Sequence, residues 1–359
     1  MKCPSMIKYL YPHDWQKIQS FVQKVWGGGH HLNDKELFMW QHSGPIPDRD
    51  QFVCSVIEDE GQIVGLRGLQ QLDFQVRDSS DKLKIVRGCS APFMFVLREH
   101  RGLSALMLYR ATLRDFPIVL FLGANKATAL KLHEKSGYET FDHLPRFGLK
   151  LSNAIRPRQN DFQDSAINPS HLHQIWLAFS EAFKPFSIFR SEEFFAWRYL
   201  NAPYWNYRMI SSRHFSAVAI YRLENVTIAG RVVGSAMRVL EIFYNPKTTS
   251  SKQFRSFLKA IISHAYQKKC IYIDHFQTME PLQKLLKEAG FSEIARETDD
   301  FPTLFNPIDF KKPPINYGWF IKDPNTVSGG RNGHHYVVKS DSDQDRPVPA
   351  SLVSTIPLD

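Results

Sequence analysis

Two short stretches hold the residues whose types and spacing suit chemistry on an anionic ligand. In the first, Val96-Leu97-Arg98-Glu99-His100-Arg101-Gly102-Leu103-Ser104-Ala105-Leu106-Met107, an apolar run from Pro92 to Val96 enters a tight turn at Arg101-Gly102. Leu103, Leu106, Met107 and Ala111 then recur at helical spacing. A helix that starts this way presents unpaired backbone N–H groups and the positive end of its dipole, a natural seat for a pyrophosphate. In the second, the apolar run Ile118 to Leu122 meets a Gly123-Ala124-Asn125 turn, and a helix is expected from about Ala127 to Lys135, with Gly137 as its stop. The combined order is strand, phosphate turn, helix, strand, helix.

These residues are similar to the two signatures of the GNAT superfamily of acyl-coenzyme A-dependent N-acyltransferases. The first signature, V-x-P-E-Y-R-G-K-G-I-G, is matched in register by Val96, Glu99, Arg101 and Gly102. The second, N-x-x-A-x-x-L-Y-E-K-x-G-F, is matched by Ala129, Leu132, Glu134, Lys135, Gly137 and Tyr138, with Asn125 one residue out of step. The resemblance implies acetyl-coenzyme A as acyl donor, held by Phe95, Val96, Arg101, Gly102, Leu103, Ser104, Ala105 and Asn125, with no metal. It also implies that His133, in the place of the tyrosine that protonates the departing thiolate in many members, is the acid. An imidazole of ordinary pKa, about 6.5, suits that task, although the same residue also reads as a solvent-facing helix position beside Glu134. Ser104 and Leu106 depart from the pattern, standing where the family carries glycine for close backbone approach.

The elements around these stretches are legible as well. Gln51 to Glu58 and Gln62 to Leu69 are apolar-rich runs joined by Asp59-Glu60-Gly61, a hairpin signal. Trp15 to Trp26 has Ile18, Phe21, Val22 and Val25 at amphipathic helix spacing. The Gly27-Gly28-Gly29-His30-His31 turn lies where the family places acceptor-binding loops, so His30, His31 and Trp40 are candidate acceptor contacts; an ordinary mobile loop and, more remotely, a zinc site are the other readings. In Arg87 to Pro92, where many members carry a carboxylate base, there is none. Water relayed by Ser90, a histidine from 30 to 42, and Glu241 are the alternatives, while Cys89 reads as inert packing.

At 359 residues the chain exceeds the roughly 250–300 at which one core stops growing, and it contains an internal repeat. Asp34-Lys35-Glu36-Leu37-Phe38-Met39-Trp40 is matched by Ser191-Glu192-Glu193-Phe194-Phe195-Ala196-Trp197, and Leu132 to Tyr138 by Leu285-Leu286-Lys287-Glu288-Ala289-Gly290-Phe291. The expected fold class is α/β (α+β), with two tandem GNAT-like domains, each a mixed, mostly antiparallel twisted sheet flanked by helices. The expected division is 1–150 for the coenzyme-binding domain, 151–165 for a linker, 166–310 for a degenerate copy and 311–359 for a C-terminal extension. The second copy has Asn245 to Ser251 in place of a phosphate turn and Leu286 in place of His133, so it is expected to lack a coenzyme site and to wall the acceptor cleft.

Between Phe183 and Tyr207 aromatic rings mix with arginines, most of them expected in the core, a few suited to stacking on a planar anion. Beyond Phe301 prolines accumulate, and Asp341-Ser342-Asp343-Gln344-Asp345 reads either as a solvated tail or as a cap on the acceptor cleft; it lacks the glycine and glutamate of a calcium loop. The formal charge of +9 comes without a block of consecutive basic residues, which favours a small anionic ligand over nucleic acid. Four scattered cysteines form no disulfide framework. No apolar run approaches the roughly 20 residues of a membrane span, so a cytoplasmic protein without membrane partners is expected, with a homodimer as one arrangement. The leading reading is transfer of an acetyl or short acyl group to a primary amine, an amino sugar or a nucleotide-linked amino sugar, by resemblance to GNAT proteins of bacterial surface-polysaccharide synthesis. A Fem-type transferase that uses aminoacyl-tRNA and a non-catalytic protein with a decayed phosphate loop are the alternatives.

Overall fold

The computed structural model describes residues 7–45, 51–151, 162–228, 231–294, 315–323 and 334–345. The first half runs β1 (Ile7–Leu10), α1 (Trp15–Trp26), α2 (Lys35–Ser43), β2 (Cys54–Asp59), β3 (Gln62–Gly68), β4 (Gln70–Arg77), β5 (Leu83–Ser90), β6 (Met94–Val96), α3 (Leu103–Asp115), β7 (Ile118–Leu122), α4 (Ala129–Lys135), β8 (Glu139–Phe141) and β9 (Arg146–Lys150). The second runs β10 (Phe162–Ser165), α5 (Pro169–Phe183), β11 (Ser187–Ile188), α6 (Glu192–Phe195) with a π turn at Ala196–Leu200, β12 (Arg208–Ser212), β13 (Ala217–Ile228), β14 (Arg231–Tyr244), α7 (Ser251–Gln267), β15 (Cys270–Phe276), α8 (Glu280–Ala289), β16 (Ser292–Glu293) and β17 (Tyr317–Ile321).

Local chemistry explains the main elements. α1 buries Ile18, Phe21 and Val22 on one stripe, as its spacing predicts. Asp34 starts α2 by accepting from the Leu37 N–H at 2.8 Å. Gly61 turns the β2–β3 hairpin at a φ of 78°, and Gly290 ends α8 in the left-handed region.

Three sheets result, in strand order β1-β2-β3-β6, β11-β4-β5-β7-β17-β8 and β10-β12-β13-β14-β15-β9-β16. The two halves trade a strand. The slot between β7 and β8 is filled by β17, pairing Trp319 with Leu120 and Gly318 with Thr140. The equivalent slot between β15 and β16 is filled by β9, with Phe147 opposite His275. A Cβ on Gly318 would lie 2.3 Å from the Glu139 carbonyl, so the incoming strand needs glycine there. The division at residue 150 is corrected accordingly: β9 belongs to the second half's sheet and part of the 311–359 extension to the first. Of the 151–165 linker, 152–161 lie outside the described residues, and β10 is already sheet, paired with β12.

The internal repeat is visible as a direct contact. Trp40 and Trp197, 157 residues apart, stack with ring centroids 5.7 Å apart, and each indole N–H donates to the other's carbonyl oxygen at 2.7 Å. Trp40 is therefore locked between the halves, which corrects its reading as an acceptor contact: its one polar atom is satisfied inside the protein.

The solvated-tail reading is also corrected. His335 to Asp345 are all buried, between the halves. Tyr336 donates to Glu241 at 2.7 Å, Arg190 joins Glu241 and Asp341 at 3.0 and 2.7 Å, and Arg222 reaches Asp345 at 2.8 Å. Tyr207 also donates to Asp345 at 2.8 Å. His335 and Val338 make only isolated bridges, with Phe186 and Gln277, and form no strand. Side chains take over the backbone bonding, because Val337 N–H donates to Thr278 and Val338 N–H to Asp341.

Burial pushes the Asp345 carboxyl upward, but Arg222, Lys339 and Arg198 outweigh it and hold it below the usual carboxylate range. Its stabilising contribution is thus present above the ordinary carboxylate pKa of about 4 and lost as pH falls below it. Asp345→Ala, which leaves Arg222 buried without this partner, is expected to destabilise the protein by about 3–5 kcal/mol in urea unfolding at neutral pH. The gap from the wild type should narrow on acidification below about pH 4.

Candidate functional site

The site is made by two neighbouring strands that part. β5 and β7 are parallel partners only at Cys89–Val119 and Ser90–Leu120, with a last bond from the Ala91 N–H to the Leu120 carbonyl at 3.0 Å. The chain then swings away and β6 joins β3 in another sheet, pairing Met94 with Arg67 and Val96 with Gly65. The edge of β6 turned from β3 is left without a strand partner on the cleft side. The parting opens a cleft of about 380 Å³. Pro92, Phe93 and Met94 form one wall, Phe121, Gly123 and Asn125 the other, and Ala105 and Tyr109 of α3 with Leu132 and His133 of α4 close it over.

At the N-terminus of α3, whose Ala105 lines the cleft, Gly102 has a φ of 93° and offers no side chain to cap the helix. The first-turn N–H groups, including those of Leu103, Ser104 and Ala105, are left without a capping side chain beside exposed Arg101. Arg101 is steadied by a bond from Nε to the Val96 carbonyl at 3.3 Å and by its position over the Phe95 ring. Leu106, a departure from the family pattern, does not line the cleft; the positions facing it are Ala105 and Tyr109, one turn apart. Asn125 lines the cleft but spends its side-chain oxygen on the Ala127 N–H at 2.9 Å, so it shapes the entry to α4.

His133 faces the cleft but is not a solvent-facing residue. It is 7% exposed, lies flat on Phe121 with centroids 4.1 Å apart, and shares a 2.6 Å hydrogen bond between Nδ1 and the Tyr109 hydroxyl. Burial, with the Arg67 cation nearby, pushes its pKa down to about 3, so it is neutral at physiological pH. This corrects the expectation of an imidazolium acid. The Tyr109 hydroxyl, raised by burial to about 12, stays protonated. A phenol donating to Nδ1 assigns the imidazole proton to Nε2, and the pair can pass a proton outward in relay.

Ser90 is fully buried and its hydroxyl donates to Ser342 at 2.9 Å. It does not line the cleft, which corrects its placement as a relay for the base: the tail covers it. Glu241 is likewise sequestered by Arg190, Tyr199 and Tyr336. The Cys89 thiol, pushed up to about 12 by burial, is inert packing as expected. His30 caps the short turn after the glycines and stacks on Trp26 at 5.1 Å, with His31 beside it at 4.2 Å. Trp26 in turn meets Phe93 and Phe95, so both histidines stand behind the cleft wall.

The residue that the sequence reading missed is Arg67. It is 2% exposed, lines the cleft, lies 4.8 Å over the Tyr109 ring, and among the described residues has only the Met94 sulfur, at 3.8 Å, as a hydrogen-bond acceptor. Its signal was present as a lone charge in the otherwise apolar β3 run Ile63-Val64-Gly65-Leu66-Arg67.

The equivalent place in the second half is closed. β14 and β15 stay paired from Ser235–Cys270 to Val239–His275, Tyr336 occupies the space beyond, bonded to Glu241 and Ile242, and α7 is capped by a Ser250–Gln253 box. Leu286, in the place of His133, is buried in the core. Most rings between Phe183 and Tyr207 are buried too, among them Phe194, Phe195, Trp197 and Tyr199.

No protein-family model and no curated protein matches the sequence. Solved structures do resemble it. A GCN5-related N-acetyltransferase from Anabaena variabilis ATCC 29413 aligns with a TM-score of 0.57 at 15% identity, over 89% of this chain and 74% of that one. A GCN5-related N-acetyltransferase from Kribbella flavida gives 0.55 at 12%, over 90% and 73%. A conserved protein from Enterococcus faecalis V583, described as a probable N-acyltransferase, gives 0.54 at 13%, over 89% and 73%. The fold is that of the GCN5-related N-acetyltransferases.

An ordinary histidine is half protonated near pH 6.5. The ring resonances of His133 are instead expected to keep their neutral positions in NMR spectra from about pH 8 down to about pH 5, and a titration near pH 6.5 would refute the buried neutral pair. Because the unfolded chain takes up that proton first, the native state loses stability through His133 as pH falls below about 6.5.

Proposed function

We propose that this protein is an acyl-coenzyme A-dependent N-acyltransferase whose coenzyme site lies in the first half alone. The observation that carries the reading is the combination, around one cleft, of parted strands, the uncapped first turn of α3 whose Ala105 lines it, and the Tyr109–His133 pair. The fold likeness agrees with it. The pyrophosphate would meet the first-turn N–H groups of α3 and Arg101, and the pantetheine arm would run along the unpaired edge of β6.

A neutral primary amine would attack the thioester carbonyl, whose oxygen gains charge beside backbone N–H groups near Val96. As the C–N bond forms and the C–S bond breaks, the attacking nitrogen gives its extra proton to water, the thiolate takes the His133 Nε2 proton and Nδ1 takes the proton of Tyr109, the pair being reset by a proton from water after turnover. The resulting tyrosinate faces Arg67, which lies over its ring. The two-residue relay would do what a single tyrosine does in the family it resembles.

An amino sugar, free or nucleotide-linked, is the acceptor class proposed, on the net charge of +9 and the resemblance to proteins of surface-polysaccharide synthesis. The buried aromatics of the second half do not add to it. The Fem-type alternative is less well supported, since among the described residues no helix exceeds the 17 residues of α7, too short for a long helical arm. The decayed-site alternative is weakened by Leu106, which stands clear of the cleft. No helix of the described residues is long and apolar enough to cross a membrane.

Isothermal titration of acetyl-coenzyme A is expected to give micromolar binding to the wild type and at least about tenfold weaker binding to Arg101→Glu, a loss of about 1.4 kcal/mol or more. Absence of binding to the wild type would overturn the proposal.

A further inference from the structure

The buried arginines of the described residues share a pattern with one exception. Arg146, Arg190, Arg222 and Arg238 bond to carboxylates, and Arg77 and Arg198 to backbone carbonyls. Arg67 has no oxygen acceptor of either kind, and its Nε is buried without a hydrogen-bond partner. Burying an uncompensated guanidinium is strongly unfavourable, and the residues lining the cleft include no carboxylate to offset it. A fold that keeps such a charge over an open cleft is matched to an anion that enters it.

The face on which Arg67 lies says which substrate brings that anion. Side chains alternate along β3. A Cβ on Gly65, two residues before Arg67, would meet Leu108 of α3 at 3.1 Å, whereas one on Gly68 would meet His42 and Phe93 on the opposite face. Arg67 therefore projects toward α3, where it lies on Tyr109. α3 also begins with the phosphate turn, so this is the donor's side of the cleft. Within it, Arg67 sits by Tyr109, whose hydroxyl holds His133, at the end where the thioester would lie.

We propose that the acyl group of the donor ends in a carboxylate, so that the donor is the coenzyme A monothioester of a short dicarboxylic acid, and that Arg67 binds that carboxylate. This rests on the coenzyme reading above. The planar guanidinium presents paired N–H donors that match a carboxylate in a bidentate way. A departing thiolate exists only during turnover and accepts through a single sulfur, so it leaves the cation unpaired in the donor complex; a carboxylate compensates it as soon as the donor is bound. Tyr109, aligned under the guanidinium, holds it in place and closes the apolar side of the seat.

The test is calorimetric titration of coenzyme A, acetyl-coenzyme A, and freshly prepared malonyl- and succinyl-coenzyme A into the wild type, Arg67→Lys and Arg67→Met. The wild type is expected to bind one of the two dicarboxylic thioesters at least about tenfold more tightly than acetyl-coenzyme A. Arg67→Met should abolish that preference, and Arg67→Lys should keep part of it. Arg67→Met is also expected to melt at or above the wild-type temperature, because it removes an uncompensated buried charge. Equal or weaker binding of both dicarboxylic thioesters by the wild type, with coenzyme A still bound, would overturn this inference alone. No binding of any of the four would overturn the coenzyme reading and the inference together.

Discussion

The structure depends on a buried seam of charge. His335 to Asp345 run between the two halves with Lys339, Asp341 and Asp345 all at 2% exposure or less, among Arg190, Arg198, Arg222 and Glu241. Such a network gives little net stability, because desolvation offsets most of the attraction, but it is highly selective, since any arrangement that leaves one member unpaired is severely penalised. Here it fixes the path of the C-terminal segment. That path fills the second half's wedge with Tyr336 and reaches the first half's site through Ser342 at Ser90 and Gln344 at the Leu122 carbonyl.

The two halves are therefore similar in plan and opposite in use. Each brings a strand, a helix, a second strand and a second helix to the same place, and each lends its closing strand to the other's sheet. In the second half the parallel strands stay paired further, the helix N-terminus is capped and the wedge is filled. In the first half the strands part early, no side chain caps the helix, and the cleft stays open with an uncompensated arginine, a neutral histidine and a tyrosine facing it. The proposed ligand site of the first half rests on this difference between the two places.

Much of this was legible in local residue patterns. The apolar stripe of α1, the Gly61 hairpin, the Arg101-Gly102 turn into α3 and the glycines that end α4 and α8 all act over a few residues, so spacing reveals them. Likewise the repeat around Trp40 and Trp197 was visible as a matched pattern. What the pattern did not carry was that the two indoles would hydrogen-bond to each other across the interface. The misplaced residues share one cause: Trp40 and Ser90 were assigned by their place along the chain and the Asp341 to Asp345 stretch by its polarity, whereas their partners come from segments far away in the chain.

The sequence by itself determined the elements, the matched Trp40 and Trp197 patterns and the Arg101-Gly102 turn into α3, because each of these follows from residues within a few positions of one another. Only the tertiary structure decided the exchange of β9 and β17, the burial of the tail, the neutral state of His133 and the unpaired state of Arg67. Charge state and pairing are set by what surrounds a group in space, and here the surroundings arrive from other strands: Tyr109 and Phe121 around His133, and the absence of any acid opposite Arg67 in the cleft.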